Sequence, residues 1–259
     1  MRSWLKTGLF VAVAAALAAP AAAQSDFQWH GLVLSGQTIE IKGVNGEIRA
    51  SSGTGEAQVS ATKTARRSNP ADVRIEVVPH AGGVTICAVY PDVPGREPNR
   101  CEPGPGGHSE VRDNDTSVRF VVTVPAGVHF VGRTVNGGVQ ADGLQGDAEV
   151  RTVNGSVHLS TTGRGIADTV NGSIEVTMGR ADFQSGASFT TVNGSVTLKM
   201  PSTLSAELSA NTVNGKIASD FPVTVTEMSR RSVRGTIGGG GPELKISTVN
   251  GSITLQRSE

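Results

Sequence analysis

The sequence predicts an all-β fold, a repeat β-solenoid (β-helix-like) with an irregular N-terminal β region acting as its cap. The first observation behind this prediction is a Val-Asn-Gly motif that occurs seven times along the chain. The second is the alternation of polar and apolar residues after each copy, which is typical of a strand with one buried face. The third is a composition with 33 Gly and only 4% aromatic residues, which suits thin β layers better than a large globular core.

Residues 1–23 are expected to be a secretory signal peptide. Arg2 and Lys6 precede an apolar stretch, and a run of alanines ending at Ala23 provides the small residues that a signal peptidase requires. We therefore expect cleavage between Ala23 and Gln24 and a periplasmic or secreted mature protein. A membrane anchor is the alternative, but it needs about 20 consecutive apolar residues. No transmembrane segment is expected after cleavage.

The charge of the mature chain argues against nucleic acid as a partner. Without the two basic residues of the signal, 21 basic and 23 acidic residues remain. Nucleic-acid binding requires a basic field that displaces counterions from phosphates, and the sequence shows no such field.

The repeat organises the second half of the chain. Its central residues are Asn45, Asn136, Asn154, Asn171, Asn193, Asn214 and Asn250. Thr precedes the motif in six copies, and Val or Ile stands two positions after every Gly. A degenerate copy at 232–237 places Arg234 in the Asn position, which brings the spacing from Asn136 onward to 16–22 residues. We expect residues 131–259 to form the solenoid and residues 24–130 the N-terminal β region, together as one continuous domain.

Two architectures could use the Asn-Gly pair, in which both residues tolerate the positive φ of a sharp turn. In a two-residue hairpin, Val153 would share a face with Ser156, so Val157 would lie on the opposite face. At a solenoid corner, the valines before and after the turn can both point inward. Asn amides could also hydrogen-bond to one another between coils. These reasons favour the solenoid, with each Asn predicted to be an inward corner residue.

The first half of the mature chain carries strand signals without a steady period. The predicted strands are residues 29–34, 38–42, 47–50, 57–63, 73–78, 83–89 and 118–124. Terminal repeats of a solenoid are usually atypical, so this region is interpreted as a cap that continues the same β structure. Residues 91–116, rich in Pro, Gly and charged side chains, are predicted to form a loop.

The two cysteines, Cys87 and Cys101, are expected to form a disulfide in an exported protein. Closing a loop of about 15 residues contributes ~3 kcal/mol in the chain-entropy model. A metal site would need further ligands at fixed spacing, and a redox pair would need Cys-x-x-Cys.

No motif indicates catalysis, a cofactor or a metal. The histidines are scattered singly, and the Gly-x-Ser-x-Gly elbow of hydrolases is absent. The acidic run 113–115 lacks the later ligands of a calcium loop. The outward positions beside the ladder are expected to be Ser and Thr, among them Ser156, Thr152 and Thr169. The active site of a glycosidase requires a pair of carboxylates, which rows of Ser and Thr do not supply. We therefore expect a non-enzymatic protein.

Several of these features together resemble the bacterial DUF4097 family of β-strand-repeat proteins, described as candidate adhesins. They are the export signal, Phe27-x-Trp29, residues 43–46, residues 84–91 with Cys101, and residues 124–128 leading into the ladder. The resemblance covers the whole mature chain. It implies a β-solenoid-like domain in the cell envelope with no established catalytic residues.

The sequence features and the resemblance leave three classes of function open. The favoured one is a structural or adhesive module that binds an envelope protein or a surface glycan. The first alternative is an accessory component of envelope-stress signalling, which some members of the family are linked to. The second alternative is a β-helix protein that binds or degrades polysaccharide.

Overall fold

The computed structural model describes residues 27–180 and 185–258, and the expected signal peptide and cleavage site lie outside them. These residues form strands β1–β21 and one short 3₁₀ helix, Pro70–Asp72. The strands of the N-terminal part are β1 (Phe27–Gly31), β2 (Thr38–Lys42), β3 (Ile48–Gly53), β4 (Ala57–Thr64), β5 (Arg74–His80), β6 (Gly83–Val89) and β7 (Ser117–Pro125). Those of the ladder's first coils are β8 (His129–Arg133), β9 (Val139–Leu144), β10 (Ala148–Arg151), β11 (Val157–Thr161), β12 (Gly165–Asp168), β13 (Ile174–Met178), β14 (Ala187–Thr190) and β15 (Val196–Pro201). The remaining strands are β16 (Ala206–Asn214), β17 (Ile217–Ser219), β18 (Val223–Met228), β19 (Ser232–Ile237), β20 (Glu243–Asn250) and β21 (Ile253–Ser258).

The predicted β-solenoid is confirmed: two sheets face each other, and each coil contributes one strand to each sheet. The first sheet has the order β1-β4-β7-β3-β9-β11-β13-β15-β21-β17. The second has the order β18-β19-β16-β20-β14-β12-β10-β8-β2-β6-β5. Neighbouring coils pair in parallel and in register, so that Val157 lies beside Ile174, and Ile174 beside Val196. Equivalent residues of the repeat therefore form rows along the solenoid.

The coils do not stack in the order of the sequence. β20 lies between β14 and β16, and β21 lies between β15 and β17. The last repeat of the chain is therefore inserted between two coils that precede it in sequence, and the end coil of the stack is β16–β17.

The degenerate copy at 232–237 lies within the predicted solenoid but does not form a coil of the ladder. Its residues form β19, which runs antiparallel to β16 and places Arg234 opposite Ser209. The side chain of arginine has no carbonyl oxygen to accept a hydrogen bond, so it cannot continue a ladder of side-chain amides. The segment instead joins β18 in a hairpin that extends the second sheet beyond the end coil.

The N-terminal region caps the opposite end of the solenoid. β2 and β3 form the first coil, and β6 and β7 stack on them in parallel. β5, β4 and β1 then run antiparallel and close this end. Both sheets continue from this region into the ladder through the pairs β2–β8 and β3–β9.

The core lies between the two sheets and consists mainly of apolar side chains. Phe120, Phe130 and Phe189 are each 0% exposed, at different levels of the stack. Complete burial of a side chain of this size contributes about 1.5–3 kcal/mol. Among the residues that the structure describes, no helix is long and apolar enough to cross a membrane.

Candidate functional site

The threonine of each Thr-Val-Asn-Gly motif points into the solenoid. Thr152 is 5% exposed, and its Oγ1 donates a hydrogen bond to the carbonyl oxygen of Gly137 at 2.8 Å. The same bond joins Thr169 to Gly155 at 2.9 Å. The expectation that these threonines lie outward is therefore wrong. Their hydroxyls satisfy glycine carbonyls that would otherwise be buried without a partner at the corner.

The valine and the asparagine of the motif both point outward, against the prediction that they face the core. Val153 and Val170 are 38% and 39% exposed, and Asn154 and Asn171 are exposed. Because side chains alternate along a strand, a buried threonine places the following valine on the outer face. The chain then turns, and the inward positions resume three residues after the Asn, as at Val157.

The asparagine side chains form a continuous ladder of amide hydrogen bonds. Each Nδ2 donates to the Oδ1 of the Asn one coil away, as in Asn154 to Asn136 at 2.9 Å and Asn171 to Asn154 at 2.8 Å. Along the stack the order is Asn45, Asn136, Asn154, Asn171, Asn193, Asn250 and Asn214. The ladder therefore includes every predicted corner residue, at exposed or half-exposed positions.

The corner glycines are required by close approach of the backbone more than by positive φ. A Cβ on Gly172 would lie 2.1 Å from the carbonyl oxygen of Gly155, and a Cβ on Gly155 equally close to that of Gly137. Among these glycines only Gly46 has a left-handed φ, of 121°. Stacking of identical corners leaves no room for a side chain at this position.

The outer surface of these corners is a regular apolar row beside a polar one. Six exposed valines form the apolar row: Val135, Val153, Val170, Val192, Val249 and Val213. We call this row, together with the asparagine ladder, the valine–asparagine corner. With strands ~4.8 Å apart, the row is about 24 Å long. Beyond the asparagines, Ser156, Ser173, His158 and Glu175 line a shallow groove on the first sheet.

Polar and ionisable side chains of successive coils interact beside this groove. The imidazole of His158 lies 3.6 Å from a carboxylate oxygen of Asp142 and 3.6 Å from one of Glu175. Lys199 Nζ lies 3.0 Å from Glu175, and this hydrogen bond is the main reason that the pKa of Glu175 is lowered. All four groups are partly exposed and accessible to a ligand.

The outer face of the second sheet carries a charged cluster beneath the loop 91–116. The expected disulfide between Cys87 and Cys101 is present and fastens this loop to β6. Lys42 Nζ donates to the carbonyl oxygens of Glu102, Gly104 and Gly106 in the loop, at 2.5, 2.6 and 3.0 Å. Burial lowers the pKa of Lys42, while the nearby Glu40 acts in the opposite direction.

Glu40 lies beside Lys42 and is 3% exposed. Its Oε2 accepts hydrogen bonds from Thr85 Oγ1 at 2.9 Å and from the Gly104 N–H at 2.8 Å. Its Oε1 lies 3.3 Å from Arg133 Nε in an ion pair that lacks hydrogen-bond geometry. The loop covers the carboxylate, so Glu40 and Lys42 hold the loop in place and are closed to a substrate.

The sequence alone does not predict this cluster. The alternation in residues 38–42 places Glu40 and Lys42 on the outer face of a strand, but nothing in the sequence indicates that a loop covers them. Within the described residues, no group of three or more His, Cys, Asp or Glu side chains is arranged to hold a metal ion.

Comparisons with known proteins place the repeat region in a family. The Toastrack DUF4097 family model matches residues 133–256. A candidate cell adhesion protein from Clostridium sporogenes ATCC 15579 is similar in structure, with a TM-score of 0.46, 9% identity, and coverage of 90% of this chain and 99% of that one. A candidate adhesin from Bacteroides fragilis NCTC 9343 gives a TM-score of 0.26 and 11% identity, covering 90% of this chain and 96% of that one. No curated protein matches.

Proposed function

Because residues 133–256 form a Toastrack DUF4097 domain, we propose that the chain is an exported, non-enzymatic module that adheres to a polymer of the cell envelope, with a surface glycan as the polymer. The observation that carries this proposal is the row of six exposed valines in the valine–asparagine corner. Because the valines are equally spaced along the stack, the row suits a ligand that is an extended chain of repeating units.

The chemistry of the corner fits a glycan. The C–H faces of sugar rings can pack on the valine methyl groups, and burying apolar surface in this way is favourable at about 25 cal/mol per Å². The groove beside the corner presents hydroxyl, imidazole and carboxylate groups from Ser156, His158 and Glu175, which can hydrogen-bond sugar hydroxyls. A ligand that spans several coils would add these weak contacts together.

Among the carboxylates, the covered Glu40 is the one whose position supports a non-enzymatic role. Hydrolysis of a glycoside uses two carboxylic groups that reach the same bond. Glu40 is covered by the disulfide loop, and Asp142 and Glu175 lie on either side of His158 on an open surface.

The test is sedimentation of the purified mature protein with insoluble polysaccharides, including peptidoglycan sacculi and cellulose. The triple variant Val153→Ser, Val170→Ser, Val192→Ser should bind about tenfold more weakly than the natural sequence, because three apolar contacts are lost. The double variant Val131→Ser, Ile166→Ser is the matched control, since these half-buried residues lie on the outer face of the second sheet.

Three results would oppose the proposal. The first is that no polysaccharide retains the protein. The second is that the triple variant and the control bind equally well, while both unfold at the same temperature as the protein with the natural sequence. The third is release of new reducing ends from a bound glycan, which would identify an enzyme.

A further inference from the structure

The two ends of the asparagine ladder differ. At the N-terminal end, the carbonyl oxygen of Asn45 accepts a hydrogen bond from Val118 N at 2.7 Å, and β7 covers the first coil. At the other end lies Asn214, whose Nδ2 donates to Asn250 Oδ1 at 2.8 Å. In the described part of the chain, nothing donates to the Oδ1 of Asn214.

The backbone of the end coil is also left without partners. In six coils the corner Gly N–H donates to the carbonyl oxygen of the next Asn, as Gly194 does to Asn250 at 3.0 Å. Gly215 is the seventh corner glycine, and its N–H has no acceptor within residues 27–180 and 185–258. Among the strands that the structure describes, β17 pairs only with β21, so Ile217 and Ser219 direct their N–H and C=O groups to the open side.

The apolar face next to this edge is not covered. The second sheet continues past the end coil through β19 and β18, whereas the first sheet ends at β17. Val225 and Met228 lie on the core side of β18, across from Gly235 and Val233, yet they are 45% and 74% exposed. They are exposed because the first sheet has no strand opposite them.

The rim of this end is basic beside the corner, while Asp220 follows β17 and Glu227 on β18 is paired with Arg234. Lys216 precedes β17, and Arg230 and Arg231 form the tip of the β18–β19 hairpin. This tip reaches the corner, where Thr212 N donates a hydrogen bond to the carbonyl oxygen of Arg231 at 2.8 Å. Among the described residues, none forms an ion pair with these three side chains. A partner with carboxylates at this position would therefore gain unopposed charge pairs.

We propose that the C-terminal end of the solenoid binds an extended Asn-Gly segment of a partner protein, with acidic side chains on its outer face, as one further strand beside β17. The segment's Asn would donate to Asn214 Oδ1, its backbone would pair with Gly215, Ile217 and Ser219, and its apolar side chains would cover Val225 and Met228. Strand addition at an open sheet edge is a common mode of peptide recognition. Glycan binding at the corner is a separate matter, and either proposal can fail without the other.

A second copy of this chain fits the end poorly. All seven of its Asn-Gly segments are already stacked inside its own ladder, and its own open end is equally basic. A membrane would neutralise the basic rim but offers no backbone groups for β17.

The probe is a synthetic peptide of residues 169–178, acetylated and amidated, which carries the motif and one acidic residue, Glu175. Its affinity for the full mature protein is measured by isothermal titration calorimetry. In the register shared by all coils, the amides of Glu175 and Thr177 would face β17, and those of Ile174 and Val176 would face away. N-methylation of the first pair should weaken binding by about tenfold or more, and N-methylation of the second pair should change it little.

The charge is tested on the protein. The variant Lys216→Glu should bind the peptide about tenfold more weakly at low salt, because the exposed Lys216 shares a face of β17 with Ala218, the residue that Glu175 would lie beside. Arg112→Glu, an exposed reversal in the disulfide loop, should not. Equal effects of the two N-methylated peptides, or no peptide binding at all, would overturn the proposal. Binding to phosphatidylglycerol vesicles that is lost in Met228→Ser, without peptide binding, would assign the end to a lipid surface instead.

Discussion

Asn171 Nδ2 donates a hydrogen bond to Asn154 Oδ1 at 2.8 Å, although both side chains are exposed at the corner. The Oδ1 of Asn171 in turn accepts from Asn193 at 2.8 Å. Each interior amide is therefore held on both sides. This relationship makes the ladder a contributor to stability that does not depend on burial.

Replacing Asn171 with Ala should lower the free energy of unfolding by about 1 kcal/mol, because two exposed amide hydrogen bonds are lost. Asn214→Ala removes one such bond and should cost about half as much. Urea denaturation of both variants checks this difference. Equal losses would mean that the ladder does not act through its amide bonds.

Gly172→Ala should destabilise the protein by about 3 kcal/mol, because its Cβ would overlap the Gly155 carbonyl oxygen in the next coil. Gly239→Ala is the control, since there the nearest atom to a new Cβ is Ser205 Oγ at 3.5 Å. Thermal unfolding followed by circular dichroism measures both changes. A stable Gly172→Ala protein would show that the coils can separate at low cost.

Thr169→Val should cost about 1 kcal/mol or more, because the partly buried carbonyl oxygen of Gly155 loses its donor. Thr169→Ser should restore most of this stability, as the hydroxyl is retained. The neighbouring Val170→Thr should change stability by less than about 0.5 kcal/mol, since Val170 is exposed. If the valine position proved the more sensitive, the assignment of inner and outer faces would be incorrect.

The double variant Cys87→Ala, Cys101→Ala should be less stable by about 3 kcal/mol, the value for a loop of this length. Hydrogen exchange in residues 91–116 should also become faster, while Lys42 still holds the loop through three carbonyl groups. Adding Lys42→Met to the double variant should release the loop further. Unchanged exchange in both variants would exclude the disulfide as its anchor.

Asp115 should contribute to stability at neutral pH and lose that contribution in acid. Its carboxylate accepts hydrogen bonds from the N–H groups of Arg66, Arg67 and Ser68, and those from Ser68 contribute most to lowering its pKa to about 2. A lowered pKa in the folded state stabilises the protein above the unfolded value of 3.8, and the effect fades as the pH falls towards 2.

The measurement is the unfolding midpoint of Asp115→Asn as a function of pH. The variant should melt below the natural protein at pH 7, and the two midpoints should converge near pH 2. A constant difference over this range would show that the carboxylate charge plays no part.

The sequence predicts the stacked coils well because the spacing of Asn171 and Asn193, and the alternation around Val157, are local signals. It does not predict which face Thr152 and Val153 occupy. Both residues are β-branched, and hydropathy favours an inward valine. Their orientation is instead decided by the carbonyl oxygen of a glycine in another coil, which accepts a hydrogen bond that threonine can donate and valine cannot. Such information exists only after the coils have stacked.

The sequence also does not predict the position of the last repeat in the stack. Residues 243–258 match the same pattern as every other coil, so nothing in them distinguishes an interior place from the end of the stack. The covered Glu40–Lys42 pair is a similar case. Its outward direction follows from strand alternation, but its burial depends on a loop that is distant in sequence.

The insertion of β20 and β21 between earlier coils has a consequence for how the chain is synthesised. A ribosome delivers β16 and β17 before the strands on which they rest, so the end coil lacks its observed neighbours until residues 243–258 have been made. Any chain that stops before residue 243 lacks the layer that separates β14 and β15 from β16 and β17. The observed order of coils therefore cannot form one coil at a time as the chain is translated, because it requires residues 243–258.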